Sequence, residues 1–146
     1  MKKQNSKITF FLIITLFTTV LFSCKQDEER IPYAYVDFYA DLNAPVYIDL
    51  NPVGNSLTVT GGVRGIILFH KNSDEFMAIE RNCSHDPYNT CEVVEVDSTG
   101  IYAVCNCCGS KFSLYDGFLV SGPAKYPLNT YATTYNSLTN ILHVYN

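Results

Sequence analysis

The chain has 146 residues, which is enough for one compact core and argues for one domain. Its formal net charge is −4, with no basic stripe, so nucleic-acid binding lacks the cationic surface that phosphate contacts require. Aromatic content is high through Tyr and Phe, with no Trp.

The N-terminus reads as a targeting segment. Lys2, Lys3 and Lys7 form a positive start, and Ile8 to Phe22 is an unbroken run of apolar residues and threonines. That run is short for a membrane span, which needs about 20 residues. It stops at Leu21-Phe22-Ser23-Cys24, which resembles the bacterial lipoprotein box. The resemblance implies a signal peptide over 1–23, acylation of Cys24, and a flexible tether over 24–33. Loss of Lys2, Lys3 and Lys7 moves the formal charge from −4 to −7. An uncleaved anchor is the alternative, and either one tethers an exported domain to a membrane. Lys25-Gln26-Asp27-Glu28-Glu29 resembles the acidic signal that sends some Bacteroidetes-type lipoproteins to the cell surface. The expected location is therefore the bacterial cell envelope, at the outer membrane or cell surface. A plain solvated tether accounts equally well for the same five residues. The n-region has no Arg. That suits the general export route, which carries unfolded chains, so either a metal centre is inserted outside the cytoplasm or this signal works otherwise.

Past Pro32 the pattern is β throughout. Val46 to Leu50 and Ser56 to Thr60 are short runs rich in β-branched residues, separated by the turn-forming Asn51-Pro52-Val53-Gly54-Asn55. Gly65 to His70 is a nearly continuous apolar strand, as a buried sheet requires. Lys71 to Asp74 turns it back into Phe76 to Ile79. Val93 to Val96 and Ile101 to Val104 flank the turn Asp97-Ser98-Thr99-Gly100, a hairpin that delivers Cys105 at a strand end. Thr130 to Tyr135 and Ile141 to Tyr145 close the chain around Asn136-Ser137. Outside the targeting segment no stretch of ten residues shows a helical period. The expected fold is all-β, a small sandwich or barrel of short antiparallel strands. His70 and His143 fall inside strand runs and read as structural.

Two loops carry the chemistry. The first reads Cys83-Ser84-His85, the second Cys105-Asn106-Cys107-Cys108-Gly109-Ser110-Lys111-Phe112. Each brings two soft or borderline donors to one point, and together they can hold four bonds to a metal centre. Apart from Cys24, five cysteines remain in the mature domain. An odd number cannot all form disulfides, which favours metal ligation. A Cys₃His zinc site is one reading of Cys83, His85, Cys105 and Cys108. Against it, structural zinc loops space paired ligands by two or more residues. A third reading has no metal at all.

The paired loops, the Gly-Ser-x-Phe tail and the later Ser121-Gly122-Pro123-Ala124 and Tyr126-Pro127-Leu128 together resemble the Rieske iron–sulfur domain. The resemblance runs over roughly 34–146. It implies a Rieske-like all-β domain with a two-loop subdomain that binds a [2Fe–2S] cluster. The ligands it implies are Cys83, His85, Cys105 and Cys108, with Cys108 standing where the family has its second His. It also implies a disulfide between Cys107 and a first-loop cysteine, for which Cys91 is the candidate, somewhat further from His85 than usual. Ser110 takes the place of a donor to a bridging sulfide. Phe112 stands where high-potential members carry Tyr, and Gly122 and Pro123 belong to the lid over the cluster. CDGSH-type iron–sulfur proteins use the same three-Cys, one-His ligand count.

Three functions follow from these residues. The first is one-electron transfer by a membrane-tethered [2Fe–2S] protein with a redox protein as partner. The second is a Rieske-fold binding or structural module without a competent cluster, and the third is a zinc-stabilised domain. Catalysis by the chain alone is not expected, because Rieske oxygenases add a large mononuclear-iron domain for which no room remains. If Cys24 is the lipid site, the protein partitions with membranes, and Cys24→Ser leaves an unlipidated precursor. Intact-mass measurement of both membrane and soluble fractions checks this, and a soluble wild type retaining Met1 is the contrary result.

Overall fold

The computed structural model describes residues 30–146. The signal segment, Cys24 and most of the tether lie outside them. The described residues contain ten strands and no α-helix. None of their segments forms a helix long and apolar enough to cross a membrane.

The strands are β1 (Asp37–Asp41), β2 (Ser56–Val59), β3 (Ile66–Asn72), β4 (Glu75–Glu80), β5 (Val94–Val96), β6 (Tyr102–Cys105), β7 (Lys111–Ser113), β8 (Leu119–Ser121), β9 (Thr130–Asn136) and β10 (Ile141–Tyr145). They form a six-stranded sheet in the order β1-β10-β9-β4-β3-β2 and a four-stranded sheet in the order β5-β6-β7-β8. All the strand pairings are antiparallel. The larger sheet is closed by the C-terminal hairpin, which returns β9 to β4 through Ala78↔Tyr131 and Ile79↔Thr130.

β3 explains its own composition. Alternate residues of a strand point to opposite faces. Ile66 and Leu68 enter one core with Val36, Leu42, Leu50, Leu142 and Val144. Ile67 and Phe69 enter the other, with Val94, Ala103, Phe112 and Leu114 of the smaller sheet. Both faces are covered, so the run has no polar alternation. The second core joins the two sheets and also includes Cys83 and Cys105.

Three details differ from the sequence expectation. Val46 to Leu50 is not a strand. Its end, Ile48–Leu50, is a 3₁₀ turn. Tyr47 N–H donates to Ala44 C=O and Leu50 N–H to Tyr47 C=O, winding the chain so that Leu50 is fully buried. Burial of Leu50 overrides the β preference of its neighbours. Ile31, in the stretch read as tether, is buried in the core between the sheets. β3 also runs on to Asn72, whose Oδ1 accepts from the Asp74 and Glu75 amides. His70 is buried in β3, with Nδ1 3.0 Å from Leu50 O and its ring stacked on Phe76. His143 lies in β10 between Tyr39 and Tyr145, with Nε2 2.8 Å from Asp37 Oδ1.

Glu80, fully buried at the end of β4, anchors the approach to the first loop. Its carboxylate accepts from Val63 N–H at 2.7 Å, Arg64 N–H at 2.9 Å, Asn82 N–H at 2.9 Å and the Tyr131 hydroxyl at 2.6 Å. Gly62, at φ 61°, makes this possible, because a Cβ there would stand 2.1 Å from Glu80 Oε2. Burial, and then the hydrogen bond to Glu80, push the Tyr131 phenol well above its ordinary value. Hydrogen bonds to a charged group contribute about 1.5–3 kcal/mol each. Tyr131→Phe is therefore expected to lower stability by about that amount, and Glu80→Ala, which strands four donors, by about 3 kcal/mol or more. Urea unfolding with the m-value held as a control measures both, and a Tyr131→Phe protein as stable as wild type is the contrary result.

Candidate metal centre

The smaller sheet exists to present one loop and receive another. β6 ends at Cys105, and the chain turns tightly there: Gly109 N–H donates to Cys105 C=O at 2.9 Å and Cys105 N–H to Ser110 C=O at 2.8 Å. Gly109 adopts φ 74° to close this turn. The first loop leaves β4, carries Cys83 to His85, and returns through Glu92, whose C=O accepts from Cys83 N–H at 2.9 Å. The Asn82↔Val93 bridge then leads into β5, where Val94 pairs with Cys105. The two loops therefore meet at their bases by backbone pairing.

Their tips are also tied. Cys91 and Cys107 form a disulfide. Arg64 Nη1 donates to Thr90 O at 2.5 Å, and Asn82 Nδ2 donates to Pro87 O at 3.0 Å. The segment after β8 lies across both loops. Ser84 Oγ donates to Tyr126 O at 2.5 Å, and Ala124 N–H donates to Ser110 Oγ at 3.1 Å. Gly122 sits against the second loop so closely that a Cβ would stand 2.4 Å from Ser110 Cα, and its φ of 113° is one that other residues rarely adopt. Pro123 follows it exposed, while Ala124 is buried.

Inside this frame the structure brings together Cys83, Cys105, Cys108 and Glu92. One donor atom from each lies within 4.8 Å of the others. Cys83 Sγ and Cys108 Sγ are 3.7 Å apart. The Cys105 thiol donates to Glu92 Oε2 at 2.8 Å, and the Cys108 thiol to Ser110 Oγ at 3.2 Å. Cys83, Cys105, Ser110 and Phe112 are buried, while Cys108 is partly exposed. His85 is partly exposed and its ring is not among the four donors within 4.8 Å.

Burial pushes the Cys83 thiol far above its ordinary value, and burial pushes Cys105 up to about 11. The hydrogen bond to Glu92 adds to both shifts. For Glu92 itself burial acts upward, but the bonds from Cys105, Cys83 and Cys108 and the nearby His85 outweigh it and hold the carboxyl below its usual range. Three unpaired thiols facing one another suit a soft or borderline metal, iron or zinc, and disfavour hard cations such as calcium. This donor set fits an iron–sulfur centre. Cys83, Cys105 and Cys108 are the sulfurs that would hold it, with His85 two residues from Cys83.

A Rieske [2Fe-2S] domain model matches residues 48–132, which span both loops and the lid. The chain belongs to the Rieske [2Fe-2S] domain family. Among solved structures it is similar to the cyanobacterial plasma membrane Rieske protein PetC3 from Synechocystis PCC 6803. That pair shares 25% identity at a TM-score of 0.50, over 78% of this chain and 100% of that one. It is also similar to a chain in the complex of reduced oxygenase and oxidized ferredoxin in carbazole 1,9a-dioxygenase, at 17% identity and a TM-score of 0.48, over 76% of this chain and 92% of that one. No curated protein matches. Rieske domains of this family transfer electrons through a [2Fe–2S] cluster.

Glu92 is the site residue that the motif does not reveal. Strand alternation through Glu92-Val93-Val94-Glu95-Val96 was the available signal. It puts Glu92 on the inward face with Val94, and an acid at an inward position is unusual.

The raised thiols have a direct chemical consequence. Only the thiolate reacts with iodoacetamide, so a raised value lowers reactivity at neutral pH. In metal-free protein at pH 8, Cys105 is expected to hold about a thousandth of its thiol as thiolate, and its alkylation rate should rise tenfold per pH unit up to about 11. Cys83 should lag further, and Cys108, partly exposed where the other two are buried, should react first. Time-resolved peptide mapping across pH checks the order, and Cys91 and Cys107 should remain unmodified throughout.

Proposed function

We propose that the protein is an envelope-tethered electron carrier. Its [2Fe–2S] cluster would be held by Cys83, Cys105, Cys108 and His85, and the domain would be attached to the membrane through Cys24. The observation that carries this reading is the convergence of three unpaired thiols where the two loops of a Rieske domain meet. The similarity to a plasma membrane Rieske protein supports a membrane-associated role.

When bound, the cluster supplies a one-electron redox couple. The chain sets its energy. Three thiolates and one imidazole leave an oxidised [2Fe–2S]²⁺ centre at −1, where two thiolates and two imidazoles leave it neutral. A more negative centre accepts an electron less readily. Rieske centres lie at roughly −150 to +300 mV and plant-type ferredoxins near −400 mV, so this one belongs at or below the foot of the Rieske range. Phe112 acts in the same direction, since it offers no hydroxyl to a ligand sulfur. Ser110 keeps a hydroxyl at the site, oriented by the Ala124 amide. The lid and the buried flanks of Cys83 and Cys105 exclude water from one side, and partly exposed His85 and Cys108 are left as the route to a redox partner.

The test is a redox titration across pH of wild type and Cys108→His. With one ligand imidazole, the wild-type potential should fall by no more than about 59 mV per pH unit, the one-proton slope for a one-electron couple. Cys108→His removes one thiolate charge, so it should raise the potential and add a second titration. Identical potentials would show that Cys108 is not a ligand. Absence of visible [2Fe–2S] bands after reconstitution of both proteins would remove the electron-carrier reading.

A further inference from the structure

The pocket contains a fourth donor outside the Cys/His pattern. Glu92 is only 3% exposed, and its carboxylate meets the Cys105 thiol at 2.8 Å. The titratable groups acting on it are Cys105, Cys83, Cys108 and His85. Glu80, the other buried acid on this path, is held by three backbone amides and a hydroxyl. Glu92 has thiols instead, which become anions themselves once they ligate. With the thiols protonated the carboxylate is hydrogen-bonded, but once they are thiolates a carboxylate buried among three sulfurs requires a cation between them.

The spacing indicates what kind of cation. A tetrahedral ion with metal–sulfur bonds of about 2.3 Å holds its sulfurs about 3.7 Å apart. Cys83 Sγ and Cys108 Sγ already stand at 3.7 Å, and all four donor atoms lie within 4.8 Å. Donors divided between two irons must spread further than donors on one ion.

We propose that the cluster-free pocket binds one thiophilic divalent cation of the zinc class through Cys83, Cys105, Cys108 and Glu92, with His85 outside the coordination sphere. Carboxylate and thiolate are both established zinc donors. The Asn82↔Val93 bridge and the Cys83–Glu92 backbone bond fix Glu92 opposite Cys83 without any contribution from the metal. The proposal rests on the reading of these loops as a metal pocket, but not on cluster assembly.

The mature chain, prepared anaerobically without metal and with the Cys91–Cys107 bridge intact, would be titrated with Co²⁺ as an optical probe and competed with Zn²⁺. One Co²⁺ should bind with thiolate-to-metal bands of a tetrahedral site. Glu92→Gln should weaken binding by about tenfold or more, while His85→Ala should change it less than twofold. The opposite pattern overturns the proposal, as does indifference to both substitutions or absence of Co²⁺ binding. If Glu92→Gln does not fold, cadmium-113 loaded into wild-type protein labelled with ¹⁵N-histidine decides. No metal–nitrogen coupling is expected, and a coupling assigned to His85 overturns the assignment. Reconstitution of the [2Fe–2S] bands on the same preparation reports separately on the electron-carrier reading.

Discussion

Three thiols and a carboxylate share one largely buried pocket, and they cannot all be charged there without a cation among them. That constraint organises the rest of the domain. Burial, joined by the hydrogen bond to Glu92, holds the Cys83 and Cys105 thiols above their ordinary values, so in the metal-free pocket these two favour the protonated form beside the acid. Ligation of a metal would replace those protons. The surrounding structure holds the donors close without using them up: the disulfide takes Cys91 and Cys107, and backbone pairing takes the loop bases.

The two buried acids of this region show how surroundings separate structure from chemistry. Glu80 is surrounded by donors that belong to the backbone and to Tyr131. It is satisfied by the fold and pins the glycine-rich 61–65 loop, from which Arg64 reaches the first cluster loop at Thr90. Glu92 is surrounded by side chains whose own protonation changes with ligation. The two carboxylates flank the first loop at its two ends, Glu80 holding the frame and Glu92 facing the pocket.

In the proposed reading, Cys108 stands where the Rieske pattern has its second imidazole. The Cys105–Gly109 turn and the bond to Ser110 hold its sulfur at the pocket. A thiolate there adds negative charge beside Glu92. Both features oppose an additional electron and favour a cation, so the departure from the family pattern and the buried acid act in one direction.

Much of this was legible in the chain itself. The apolar run of β3, the hairpin that ends at Cys105, and the spacing of Cys83, His85, Cys105 and Cys108 are local patterns, because strand alternation and loop length are local properties. The three-residue strands β7 and β8 carry too few residues to show a period. The 3₁₀ turn at Ile48–Leu50 depends on where Leu50 is buried, which no neighbouring residue encodes. The role of Glu92 was decided by tertiary structure alone. Alternation could mark it as inward-facing, but only the pairing of Val94 with Cys105 and of Cys83 with Glu92 brings it to the three sulfurs. A sequence specifies which donors exist, whereas convergence requires backbone pairing between segments distant along the chain.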